Sequence, residues 1–264
     1  MRFPRFRGLG TLGASALLIA ALMAALFGGL RASAQDATPS PETTDMGVCT
    51  EALGIGEAGN ACVTVIHASP DAPAVDVYVD GTLALENLAF GAASGWVALP
   101  AGEHQVQVSA TGTPADQAVI DATLALEEDA AYEVAAVGLV AEITAAVNQV
   151  NLSELGEDEA RIRVVHASPD APAVDIAVTD GDVLFGELAF PDASGTRTVP
   201  AGSYDLEVRV AGTTDVALAL PGVELEAGMV YSVYAIGLVG DGSLTVLPIA
   251  SSTTGGEMAT PAAS

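Results

Sequence analysis

Along most of the chain apolar residues recur at every second position. Val63, Val65 and His67 alternate with Thr64 and Ile66, and Val75, Val77 and Val79 alternate with Asp76, Tyr78 and Asp80. Val106 and Val108 alternate with Gln105 and Gln107, and Leu206, Val208 and Val210 with Asp205, Glu207 and Arg209. A period of two places successive side chains on opposite faces, so each run predicts a strand with one face on a core. Asp80-Gly81, Pro100-Ala101-Gly102, Gly112-Thr113-Pro114, Asp180-Gly181 and Pro221-Gly222 separate the runs and supply the backbone angles of turns. Residues 117–127 are Ala-rich and could pass for a helix, but their later counterpart carries Pro221-Gly222, which opposes it. No amphipathic helix is predicted outside the N-terminal segment. Many short strands with regular turns predict an all-β chain of the antiparallel β-sandwich type, Greek-key or Ig-like.

The pattern occurs twice. Residues 67–76 read HASPDAPAVD, and residues 166–175 read the same ten letters. Leu88-Ala89-Phe90 answers Leu188-Ala189-Phe190, Ala93-Ser94-Gly95 answers Ala193-Ser194-Gly195, and Pro100-Ala101-Gly102 answers Pro200-Ala201-Gly202. Tyr132 answers Tyr231, and Gly138-Leu139-Val140 answers Gly237-Leu238-Val239. Self-similarity of this length means a duplicated folding unit. The expected organisation is two tandem Ig-like antiparallel β-sandwich domains, at 62–152 and 161–250, joined by an acidic linker at 153–160. Residues 35–61 read as a leader and Cys loop, and 251–264 as a disordered tail rich in Ser, Thr, Gly and Ala.

HASPDAPAVDVYVDG, followed by LAFG and a Pro-Ala-Gly turn before an alternating strand, resembles the bacterial and archaeal domain-of-unknown-function family 4397. The resemblance covers both copies. The second departs in Thr179, inserted before Asp180-Gly181, and in Ala177 where the first has Tyr78. It implies an exported β-sandwich module, often in tandem, and implies no activity, so it carries over no catalytic residues.

Residues 1–34 read as a secretory signal peptide: Arg2, Arg5 and Arg7, then an apolar run from Leu12 to Leu30, then Ala32-Ser33-Ala34 for cleavage before Gln35. An uncleaved anchor is the alternative, because the run is long enough to span a bilayer. Either way, residue 35 onward lies outside the cytoplasm, secreted or at the cell surface. No membrane association is expected once the signal is removed. The whole chain has 8 Lys+Arg against 34 Asp+Glu. Without the four signal arginines, Arg161, Arg163, Arg197 and Arg209 face 34 acidic residues, a formal charge of 4 − 34 = −30. Such a surface excludes an electrostatic grip on nucleic acid or anionic lipid and keeps the protein soluble. Cys49 and Cys62, the only cysteines, are expected to pair in an oxidising compartment.

The repeated motif is expected to be structural: His67, Ser69, Pro70, Asp71, Pro73 and Asp76 in the first copy, and His166, Ser168, Pro169, Asp170, Pro172 and Asp175 in the second. Pro fixes φ, and Asp and Ser side chains bond nearby backbone in a corner between two strands. His67 and His166 are expected half-buried, with one ring nitrogen bonded. A cation site from each His and its two Asp lacks an established ligand spacing. A Ser69–His67–Asp76 triad lacks any sign of the required geometry. His104 and Tyr204 exchange at one position, which points to shared ring packing. Trp96, the only Trp, is a sheet residue or a possible ligand contact through stacking on a sugar. These features predict no catalytic residues, no metal, no cofactor and no enzyme. The expected role is interaction or adhesion with an unknown extracellular or envelope partner; the alternative is a small-ligand binder for carbohydrate or divalent cation.

Overall fold

In the computed structural model, residues 47–254 are described. The signal peptide at 1–34, the leader up to residue 46 and the tail from 255 onward lie outside the described residues. The first repeat has eight strands: β1 (Asn60–His67), β2 (Val75–Val79), β3 (Thr82–Leu88), β4 (Val97–Pro100), β5 (Gly102–Ala110), β6 (Ile120–Leu126), β7 (Ala131–Val137) and β8 (Thr144–Val150). The second repeats them as β9 (Glu159–His166), β10 (Val174–Val178), β11 (Val183–Leu188), β12 (Arg197–Pro200), β13 (Gly202–Val210), β14 (Val216–Leu225), β15 (Met229–Ile236) and β16 (Thr245–Ser252). The strands form four four-stranded sheets, ordered β4-β1-β7-β8 and β3-β2-β5-β6 in the first repeat, and β12-β9-β15-β16 and β11-β10-β13-β14 in the second. Each repeat is therefore a two-sheet sandwich, as the period-two pattern predicts. Residues 120–126 of the Ala-rich segment form β6, as the proline in its counterpart suggests.

The pairing is antiparallel except at one place per repeat. β1 runs parallel to β7, with Val65 opposite Val134, and β9 runs parallel to β15, with Val164 opposite Val233. Tyr132 and Tyr231 lie on these parallel strands, and their hydroxyls accept the backbone N–H of Glu127 and Glu226, five residues upstream. A Tyr that bonds back to the chain just before its own strand is the corner device of Ig-like sandwiches.

Each sandwich has its own core. Val63, Val75, Val77, Val106, Val108 and Val134 fill the first, and Ile162, Val164, Val174, Ile176 and Val208 the second. A third cluster joins the repeats: Ile66, Ala68, Ala135 and Val137 pack with Val165, Ala167, Tyr234 and Ile236. The sheets that carry β1 and β9 thus face one another, and the inner strands are covered on both sides. All seven residues of β7, Ala-Tyr-Glu-Val-Ala-Ala-Val, are buried. Double coverage explains why this strand is nearly continuously apolar instead of alternating.

Three strand ends lie outside the expected boundaries. Asn60 and Ala61, assigned to the leader and Cys loop, open β1. Glu159 and Ala160, assigned to the linker, open β9. Ser251 and Ser252, assigned to the tail, close β16, and Ser251, Ser252 and Thr253 are buried. A six-residue helix, α1 (Gly47–Ala52), precedes β1. It carries Cys49, which is disulfide-bonded to Cys62 in β1 with Cα atoms 5.6 Å apart. Cys49, Ala52 and Cys62 are packed with Ala131, Val150, Leu152 and Val230, so the bridge fastens the helix over the ends of both repeats. Closing a loop with a sequence separation of 13 is worth about 3 kcal/mol in the chain-entropy account. Replacing both cysteines by serine is therefore expected to lower the melting temperature by about 6–12 °C in calorimetry.

Candidate functional site

The repeated motif forms the corner between β1 and β2 and, in the second repeat, between β9 and β10. His67 and His166 end their strands with rings almost wholly enclosed, at 0 % and 1 % exposure, deeper than the half-burial expected. His67 Nε2 lies 2.9 Å from the carbonyl of Pro73, and its Nδ1 accepts the Ser69 N–H at 3.3 Å. That pair of contacts fixes the neutral tautomer with its hydrogen on Nε2. Burial pushes His67 below the usual imidazole range, and the Pro73 carbonyl offsets this only in part. His166 Nε2 makes the matching contact to Pro172 O at 3.1 Å. Phe90 and Phe190, from the repeated Leu-Ala-Phe, meet the two rings edge-on.

The motif aspartates serve three different pieces of backbone. Asp71 accepts the Val140 N–H at 2.8 Å, and Asp170 accepts those of Val239 and Gly240, both at 2.8 Å. These bonds hold the loop that follows β7 or β15. That loop begins at Gly138 or Gly237, both with positive φ, where a Cβ would press on the backbone of Glu142 or Ser243. Asp76 bridges two other turns: Oδ1 accepts the Asn87 N–H and Oδ2 the Gly112 N–H, each at 2.8 Å. Asp175 repeats the bridge to Glu187 and Gly212, also at 2.8 Å. Asn87 and Glu187 have φ of 58° and 55°, the left-handed region, at the irregular pairing between β2 and β3 and between β10 and β11. The Asn87 amide and then the Gly112 amide hold Asp76 below the usual carboxylate range; those of Glu187 and then Gly212 do the same for Asp175.

The three candidate ligands of each copy therefore face separate partners. Among the described residues no group of three His, Cys, Asp or Glu side chains is placed to hold a metal ion. Ser69 does not face a base: its hydroxyl is buried without a hydrogen-bond partner, and Ser168 Oγ donates to Asp170 at 3.4 Å. Removing the ring in His67→Ala leaves the Pro73 carbonyl and the Ser69 amide without partners; a loss of about 2–4 kcal/mol in urea unfolding is expected.

His104 and Tyr204 share more than packing. His104 Nε2 lies 2.8 Å from Pro100 O, and Tyr204 donates its hydroxyl to Pro200 O at 2.7 Å. His104 also meets Asp80 at 2.7 Å, and this contact raises it above the usual imidazole range. Trp96 is half-buried and donates its indole N–H to Ser251 Oγ of the second repeat at 3.1 Å. The ring is thus an internal tie, next to the disulfide cluster.

The most heavily charged buried group lies where the sequence drew no attention. Glu133 on β7 is 1 % exposed and accepts hydrogen bonds from Arg163 Nη2 on β9 and from the hydroxyl of Tyr234 on β15. Arg163 also donates to Ser232 Oγ at 2.8 Å and to the Gln149 carbonyl at 2.9 Å. Burial, and then the Glu133 charge, push the Tyr234 phenol well above its ordinary range. One carboxylate, one guanidinium and one phenol thus satisfy each other across the inter-repeat face. The available clue was a Glu inside the apolar run 131–137. Ser94 and Ser194, from the shared Ala-Ser-Gly, accept the N–H groups of Val65 and Val164 at 2.9 Å.

Residues 61–177 and 177–259 match the family described as "Domain of unknown function (DUF4397)". The chain belongs to this family. Both DUF4397 repeats carry the corner, with the same His contact to a Pro carbonyl and the same Asp bridge between two turns. No curated protein matches the chain. Among solved structures, the Bacillus anthracis TIE protein aligns at 11 % identity with a TM-score of 0.22, covering 69 % of this chain and 34 % of that one. A protein of Bacteroides eggerthii described as a candidate cell adhesion protein aligns at 12 % identity with a TM-score of 0.20, covering 74 % and 96 %. This chain thus spans about a third of the length of the first, and scores this low carry neither fold nor role across. Among the described residues no helix is long and apolar enough to cross a membrane.

Proposed function

We propose that this DUF4397 protein is an exported, non-catalytic module that presents two fused β-sandwiches outside the cytoplasm to an extracellular or envelope component. The observation that carries this reading is the commitment of the motif. His67, Asp71, Asp76 and their counterparts each bond backbone within their own repeat, so the chemistry-bearing residues of the repeat build corners. The Cys49–Cys62 disulfide and the basic-then-apolar N-terminus support an oxidising destination. The excess of acidic residues supports a soluble surface that recruits neither nucleic acid nor anionic lipid.

Fractionation of cells that express the full chain tests the location; the processed protein is expected outside the cytoplasm with Gln35 at its N-terminus. Beads coated with the processed protein are expected to retain intact cells or isolated envelopes of the source organism. Cytoplasmic retention, or beads that retain nothing, would overturn the reading. So would an ester, glycoside, phosphate or peptide hydrolysis that the His67→Ala, His166→Ala double variant abolishes while remaining folded.

A further inference from the structure

The two repeats differ inside. The second holds an apolar cavity of about 140 Å³, walled by Val174, Val208, Leu218, Ala235 and Leu244. In the first repeat the corresponding space between Val75, Val108, Ile120 and Ala136 amounts to about 10 Å³. Two differences in the chain accompany the cavity. β8 begins four residues after Val140, and Ile143 packs onto the first core; β16 begins six residues after Val239, and Leu244 lines the cavity. Leu218, paired with Val208, follows the small Ala217, whereas Ile120, paired with Val108, follows Val119. Ala217 and Val239 line the cavity and are both exposed, so it opens to the surface beside them.

The accessible wall is almost wholly carbon. The polar atoms of the motif corner do not reach it. His166 Nε2 meets Pro172 O, the Ser168 hydroxyl donates to Asp170, and His166 Nδ1 is closed off from the cavity as from solvent. A buried water needs two to four polar partners, which this wall does not offer. A dry apolar cavity of about 150 Å³ takes a benzene molecule. A hydrocarbon ring gives up no hydrogen bond when it leaves water, and it gains the dispersion contacts that an empty wall forgoes. A polar molecule of the same size would lose its hydration and find no partner in exchange.

We propose that the cavity of the second repeat is a binding site for a small uncharged monocyclic hydrocarbon of about six carbons, held by apolar contact alone. The first repeat, with the same corner over a filled interior, does not take it. This is independent of the interaction role proposed above.

The test uses the processed protein with labelled methyl groups, titrated in parallel with benzene and with 1,4-dihydroxybenzene. Benzene is expected to bind saturably with a Kd of about 1 mM or tighter. The shifts should centre on the methyls of Val174, Val208, Leu218 and Leu244 and leave Val75 and Val108 in place. 1,4-Dihydroxybenzene must bury a hydroxyl whichever end enters first, and should bind about ten-fold more weakly or worse. Ala235→Leu, which fills the cavity, should abolish binding. Should that variant not fold, Ala217→Val puts the first repeat's residue at the exposed mouth and should weaken binding about three-fold or more with the fold intact. No saturable response to benzene, shifts centred on the first repeat, or binding unchanged in the folded cavity variants would each overturn the site. Equal affinity for the two rings would overturn the apolar class of ligand.

Discussion

Glu133→Ala is expected to cost about 3–5 kcal/mol of stability, because it leaves the Arg163 guanidinium buried without its counter-charge. For a folded unit of this size that corresponds to a fall in melting temperature of roughly 6–20 °C. The Tyr234 hydroxyl loses its acceptor in the same step, so the loss should exceed that of Arg163→Met, which leaves Glu133 at least the phenol. Replacing all three groups with apolar residues of similar volume removes the unpaired charge. The triple variant Glu133→Leu, Arg163→Met, Tyr234→Phe is therefore expected to recover most of the stability lost in Glu133→Ala. Calorimetry on the four proteins checks both statements. A Glu133→Ala protein as stable as the parent would mean that the inter-repeat face is not packed as described.

The second large effect concerns acid. Asp76→Asn and Asp175→Asn together should destabilise the protein by about 3–6 kcal/mol, since each carboxylate accepts two charge-assisted bonds from backbone amides. Both carboxyls are held below their ordinary range in the folded state. Their contribution is therefore complete above the unfolded pKa of about 3.9 and disappears as pH falls through the lower folded values. His67 acts at a higher window with the same sign. Its folded value is depressed, so the unfolded chain takes up the proton first, and stability begins to fall as pH drops below about 6.5. His104 has the opposite sign: its contact with Asp80 favours folding below the unfolded value and is lost as pH rises through the raised folded one. Urea midpoints from pH 7 to pH 2 should fall in two stages. The lower stage should be smaller in the double Asn variant, in which Asp80, Asp170 and Asp241, also held below the ordinary carboxylate range, still titrate, and a variant that keeps the parent's full lower stage would show that the clamps do not titrate as described.

The strands, the duplication and the disulfide are legible in the sequence because each rests on local rules. Alternation at Val63-Val65 and Val75-Val77-Val79 needs only a pleat with one apolar face. Two cysteines outside the signal segment leave a single possible pairing. The parallel pairing of β1 with β7 is not legible, since it joins strands far apart in sequence and leaves no mark on the period. Coverage of both faces of β7 was visible only as the unbroken run at 131–137, which turns into meaning once a second sheet lies on it. Glu133, Arg163 and Tyr234 each look like an ordinary strand residue alone; only their convergence shows what they do. Trp96, expected on a strand, lies just before β4, and its partner Ser251 lies beyond the expected end of the second domain. Within the motif, the residue types foretold a corner bonded to backbone. They did not foretell which backbone, because Val140, Gly112 and Asn87 come from three separate turns.

The identical corners conceal a divergence on the opposed faces. Thr64 occupies the place that Arg163 holds in the other repeat, Glu133 answers Ser232, and Ala135 answers Tyr234. A chain made of two first halves would set a carboxylate against a threonine, and one made of two second halves would bury a guanidinium with no anion to meet it. Descendants of a single ancestral unit have become lock and key for each other, so neither half can any longer stand in for its sibling.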